Sequence, residues 1–157
     1  MGAKKRELAE REILRYRFWE QLLERARQRT KLHTSISPTH HNWIGTGAGK
    51  SGLTFNYVAR QHEAYVELYI DRGKESEEEN KTIFDQLMRY KESIEAEFGG
   101  PLEWQRLEGR RACRIRKTIS VGGYLDEDKW PEVHESMVDA MVRLEKALKP
   151  YIQKLKI

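Results

Sequence analysis

Two stretches in the middle of the chain alternate between apolar and polar positions with the period of a β-strand. In the first, Leu53, Phe55, Tyr57 and Ala59 share one face, with Thr54, Asn56, Val58 and Arg60 on the other. In the second, Ala64, Val66, Leu68 and Ile70 point inward, while Tyr65, Glu67, Tyr69 and Asp71 form an exposed outer face. The short link Gln61 to Glu63 predicts an antiparallel hairpin, and Trp43 to Gly47 predicts a third, glycine-interrupted strand beside it.

Helical spacing frames these strands. Leu14, Phe18, Leu22 and Ala26, joined by Trp19 and Leu23, predict a helix over about Lys5 to Arg29 with a basic outer face and a Glu7 to Arg11 pair. A helix that begins almost at residue 1 suggests a piece cut from a longer polypeptide. Residues 34–42 read as a polar linker. Ser76 and Glu79 predict a capping box opening a helix over 76–98, with Ile83, Leu87, Tyr90, Ile94 and Phe98 as its buried stripe and Gly99-Gly100-Pro101 as its stop. A second hairpin follows over 102–121, turning at Glu108-Gly109, with Cys113, Ile115, Ile119 and Val121 on one face and Arg114, Arg116 and Thr118 on the other. Gly122-Gly123 breaks the chain. A last helix over about 128–156, capped by Asp126 or Asp128 with Pro131 in its first turn, carries Val133, Met137, Met141, Leu144, Leu148, Tyr151 and Leu155 as a stripe packing on the sheet. The order αβββαββα describes one layered α+β domain over residues 1–157, with a mainly antiparallel sheet and flanking helices.

Composition narrows the setting. The chain has 29 basic and 25 acidic residues, so the net charge of +4 matters less than its distribution. Basic residues gather in Met1 to Lys31 and in Arg106 to Lys117, where Glu108 is the only acid. Cys113 is the sole cysteine, which rules out an internal disulfide and points to a reducing, cytoplasmic setting. No apolar run approaches the roughly 18 residues of a membrane span, so no membrane partner is expected.

Candidate chemistry is then tested by counting. A phosphate loop ending in Gly49-Lys50-Ser51 would need glycine at position 44, where Ile44 stands, and it would need a helix where Leu53 opens a strand. A glycine-rich hairpin turn is the better reading, leaving Lys50 as a candidate phosphate contact. A restriction-endonuclease-like core would place a lysine at Tyr69 and an aspartate near Asn56. Catalytic candidates reduce to Glu67 and Asp71, about 13 Å apart along a strand, and Mg²⁺ enters only under that nuclease alternative. No other cofactor or metal is implied, since adjacent His40 and His41 on an extended segment point apart. Cys113 falls on an apolar face, where a thiol is usually inert; His62 reads as a turn residue and His134 as a helix-surface residue.

The remaining signal is the basic hairpin: Arg106, Arg110, Arg111, Arg114, Arg116 and Lys117 with Trp104 combine phosphate-pairing groups and a stacking ring, pointing to DNA or RNA. The competing reading pairs Arg114 and Arg116 with Glu67, Asp71 and Glu103 inside the sheet.

The pieces FWEQLL (Phe18 to Leu23), VELYID (Val66 to Asp71), FDQLMRYKESIEAEFG (Phe84 to Gly99) and LEWQRLEGRRACRI (Leu102 to Ile115) resemble an uncharacterised bacterial and archaeal domain family, one of the numbered domains of unknown function. The resemblance runs from about Arg15 to Tyr151. It implies a place C-terminal to a nuclease-like domain and an accessory role in DNA processing or genome defence. Members often carry Arg before the Val-Glu-Leu run, where this chain has Tyr65. Sequence alone therefore predicts a noncatalytic nucleic-acid-binding or nuclease-associated module. The alternatives are a protein-interaction or homodimerisation module using the last helix, and an unusual metal-dependent nuclease.

Overall fold

Five strands pair into one antiparallel sheet. The computed structural model describes residues 2–157. β1 (Trp43–Gly47), β2 (Leu53–Ala59) and β3 (Ala64–Ile70) form a meander; β5 (Cys113–Ile119) pairs with β3, and β4 (Glu103–Gln105) takes the far edge. Helix α1 (Gly2–Arg27) precedes the sheet, α2 (Glu77–Met88) and α3 (Lys91–Phe98) link β3 to β4, and α4 (Trp130–Gln153) ends the fold. The α+β class and the antiparallel sheet agree with the sequence reading. Among the described residues no helix is long and apolar enough to cross a membrane.

The alternation sorts the strands' side chains between two environments. Leu53, Phe55, Tyr57, Val66, Leu68, Ile70, Cys113 and Ile115 are all buried, and α4 packs on β2, β3 and β5. Helix α4 buries a wider arc than its predicted stripe, adding Trp130, His134, Val138, Ala140, Ala147 and Ile152, because its other flanks meet α1 and α3. Of the predicted stripe, Val133, Met137, Met141, Leu144 and Leu148 are buried, while Tyr151 is half-buried. On α1, Phe18, Trp19, Leu22, Leu23 and Ala26 are buried, whereas its first turns are exposed. Truncating an aromatic as enclosed as Trp19 typically costs about 3–5 kcal/mol.

Four local expectations change. The helix over 76–98 breaks at Arg89 and Tyr90, where Tyr90 N–H bonds back only three residues to Leu87 O at 3.0 Å. Its ring leaves the core and stacks on Tyr151 at 4.8 Å, so α3 can turn Ile94 and Phe98 inward. The capping box does not form: Ser76 Oγ donates to Gly73 O and accepts from Asn80 Nδ2 at 3.0 Å, and Glu79 pairs with Arg72 instead. His134 is not a surface residue. It is 2% exposed, 4.4 Å from the Phe18 ring at the α1–α4 contact. Asp126 likewise caps no helix through its side chain; it accepts from Gly123 N–H at 2.9 Å and meets His62 at 3.0 Å.

Two loops are held from within. Backbone amides of Tyr124 and Leu125 donate to Arg60 O and Gln61 O at 3.0 Å each, clamping the β2–β3 turn. A Cβ on Gly123 would stand 2.1 Å from Arg60 O, so only glycine allows this approach. Buried Lys81 on α2 reaches four carbonyl oxygens of the β4–β5 loop: Arg106 at 2.6 Å, Arg110 at 2.7 Å, and Leu107 and Ala112 at 3.1 Å. Those carbonyls converge because Leu107 and Gly109 both adopt positive φ.

Lys81→Met keeps the aliphatic stem and removes every donor. We expect it to lower unfolding free energy by about 3 kcal/mol or more, and to let amides of residues 106–112 exchange hydrogen well before those of β5. Exchange that stays uniform would contradict the role. Burial, with Arg25 adding to it, lowers the His134 imidazole from 6.5 to about 4. Its stabilising contribution is then complete above pH 6.5 and is lost as pH falls through about 4, at most about 3 kcal/mol. Denaturant midpoints should therefore fall more steeply over that window for the parent than for His134→Leu.

Candidate functional site

On the sheet face turned away from the helices, strand register aligns side chains in three rows. The middle row runs Gly45, Asn56, Glu67, Arg116, Glu103 across all five strands. On one side of it lie Trp43, Val58, Tyr65 and Thr118; on the other lie Gly47, Thr54, Tyr69, Arg114 and Gln105. The parts of these rows on β2, β3 and β5, with Asn42, Trp43 and Arg60, line a half-open cavity of about 380 Å³. That size falls within the range of roughly 300–1,000 Å³ typical of ligand sites. The missing side chain of Gly45 gives its space to the Asn56 amide: a Cβ there would stand 1.9 Å from Asn56 Oδ1.

Glu67 lies in this hollow, on the central strand. The outer face of β3 was expected to be exposed; instead Glu67 is 4% and Tyr65 7% exposed. The Glu67 carboxylate receives one hydrogen bond, from Asn56 Nδ2 to Oε2 at 3.1 Å. With its nitrogen committed to Glu67, the Asn56 amide turns Oδ1 over Gly45, where it is buried without a partner. Burial pushes the Glu67 carboxyl above the usual carboxylate range, against the opposing pull of Asn56, Arg114, Arg116 and Arg60.

The arginines expected to neutralise Glu67 are held elsewhere. Arg116 Nε donates to Glu103 Oε1 at 3.2 Å, and its guanidinium stacks on Tyr65, 4.1 Å from the ring centre. Arg114 Nε donates to Gln105 Oε1 at 2.5 Å. Both remain in the cavity wall, joined by Arg60 from the clamped turn. Trp43 stands at the rim with 52% of its surface exposed.

The other sequence-predicted residues fall outside this cavity. Trp104 belongs to the opposite face: its indole N–H donates to Glu95 at 3.1 Å and its ring meets Phe84 edge-on, so it serves the core and offers no stacking platform. Lys117 shares that face by register with Ile115 and Ile119. Arg106 is engaged by Asp85 at 3.0 Å and by Glu108. Asp71 lies past the end of β3 and accepts from Arg111 at 2.8 Å. Partial burial would raise its carboxyl, but Arg111 and the Gly73 amide outweigh that and leave it below the ordinary value. The structure therefore does not bring Glu67 and Asp71 together. Arg110 is exposed on the Lys81-held loop, and Lys50 lines a separate depression beside Gly49 and Glu145. The glycine-rich segment is the end of β1 and a tight turn, closed by Ala48 N–H to Leu53 O at 2.8 Å.

Sequence reasoning passed over Trp43, Asn56 and Arg60 as working residues. The available signal was the coincidence of outward glycines on one strand with an outward asparagine on the next. A methyl group at position 45 would stand 1.9 Å from Asn56 Oδ1. Gly45→Ala should thus expel the Asn56 amide and cost about 1–3 kcal/mol. Adding Asn56→Ala should restore part of that loss, and strictly additive effects on the melting curve would contradict the contact.

Comparison with curated proteins and with solved structures finds no match. A family model described as Domain of unknown function (DUF4268) matches residues 14–152, which takes in every strand and the cavity but leaves out the exposed first turns of α1. By that match, which covers most of its length, the chain belongs to the DUF4268 family.

Proposed function

We propose that this chain is a recognition module that binds single-stranded nucleic acid on the helix-free face of its sheet. One observation supports the reading above others: Arg60, Arg114 and Arg116 converge with Trp43, Tyr65 and Tyr69 around one cavity. Guanidinium groups pair with phosphates in a fixed geometry, and aromatic rings or guanidinium planes stack unpaired bases, so an open sheet carrying both suits a single strand. The exposed Trp43 indole and the Arg116–Tyr65 stack supply two such platforms. Arg110, exposed on the loop that leads into β5, adds a basic group beyond these rows, while its neighbour Arg111 is paired with Asp71. An accessory role beside a nuclease-like domain, in the cytoplasm, accords with such a surface and with a single buried cysteine.

The test is fluorescence anisotropy of labelled single-stranded DNA, single-stranded RNA and duplex DNA across a salt series. Single strands should bind more tightly than duplex. Changing Arg60, Arg114 and Arg116 together to Gln should weaken binding at least about tenfold and flatten the log–log salt slope by about two, from a contribution of roughly 0.7 per phosphate contact. Binding that is absent at low salt, or unaltered in the triple variant, would refute the reading.

A further inference from the structure

We infer that Glu67 is a base-reading carboxylate that selects guanine, an inference that rests on the nucleic-acid reading above. A buried carboxylate is costly unless paired or well hydrogen-bonded, yet Glu67 takes a single hydrogen bond and, among the described residues, no ion pair within 4.0 Å. Its arginine neighbours are engaged by Glu103 and Gln105, and Asn56 takes one of the two lone pairs of Oε2. Oε1 and the second lone pair of Oε2 are left as acceptors on a side chain that lines the cavity.

The surroundings decide what kind of donor fits. Arg60, Arg114 and Arg116 line the same cavity and repel a cationic ligand, so the donor must be neutral. Among bases, the Watson–Crick edge of guanine offers two adjacent neutral donors, N1–H and the N2 amino group, spaced to meet the two oxygens of a carboxylate. Adenine and cytosine place a ring-nitrogen lone pair against that carboxylate, and uracil offers one donor flanked by two acceptors. A guanine seated on Glu67 would leave its phosphates to the arginines at the wall and its ring to the aromatic side chains. Asn56, held over the bare Gly45, positions the carboxylate and does not read the base itself.

The experiment measures binding of labelled uridine-tract RNA carrying one central G, A, C or U. The parent should prefer the G-containing strand by about tenfold or more, as expected for a two-bond base contact. Glu67→Gln, nearly isosteric, should bind all four within about twofold of one another, because an amide cannot supply two acceptors to that edge. Trp43→Ala should weaken all four strands alike and keep the guanine preference, which separates stacking from base reading. Equal binding of the four strands by the parent, or a guanine preference that survives Glu67→Gln, would overturn this inference while leaving nucleic-acid binding intact. Failure of every strand to bind would overturn both.

Discussion

The fold rests on burying one face of a five-stranded sheet beneath α4. Leu53, Phe55 and Tyr57 of β2 and Val66, Leu68 and Ile70 of β3 are each at most 2% exposed, and α4 packs on them while its flanks are buried against α1 and α3. Because side chains alternate along a strand, a slip of one residue would turn this whole set outward. The burial therefore sets the register, and the register sets what stands opposite what on the other face. The row Gly45, Asn56, Glu67, Arg116, Glu103 is a by-product of apolar packing on the far side of the same strands.

Among the described residues the carboxylate of Glu67 and the ammonium of Lys81 are buried, and they differ in how they are satisfied. Lys81 meets four carbonyl oxygens and thereby shapes the loop from Arg106 to Ala112. All its donors are used within the chain, as expected of a structural residue. Glu67 has one partner, faces a cavity, and lies among arginines directed elsewhere. Perturbed and under-satisfied ionisable groups in clefts gather at functional sites, since the penalty of burial is offset when a ligand arrives. The contrast moves attention from the basic loop, which is largely an intramolecular construction, to the open sheet face.

Much of the architecture was legible as periodicity. The alternation in 53–60 and 64–71 located β2 and β3, the helical stripe in α1 named its buried residues, and the failed glycine count at Ile44 correctly excluded a phosphate loop in favour of a turn. Errors arose where a local rule competed with a tertiary contact. Ser76 and Glu79 have capping-box spacing, but Gly73, Asn80 and Arg72 offered them other partners. Tyr90 continues a helical stripe, yet Tyr151 draws it out of the core. Trp104 neighbours arginines in sequence, but the pleat turns it toward Glu95 and Phe84.

By itself, the sequence determined which residues alternate, which face of each element is apolar, and hence that an α+β domain with a mainly antiparallel sheet would form. These are properties of consecutive residues, and the 2.0 and 3.6 residue periods expose them directly. It could not determine that Asn56 lies over Gly45, that Arg116 is directed to Glu103 and away from Glu67, or that the outer face of β3 is sunken. Those facts depend on strand order and on the volume left by absent side chains on a neighbouring strand. Only the tertiary structure, by aligning Asn56, Glu67 and Arg116 across three strands and letting the Asn56 amide lie over Gly45, brought a buried carboxylate into the lining of a cavity.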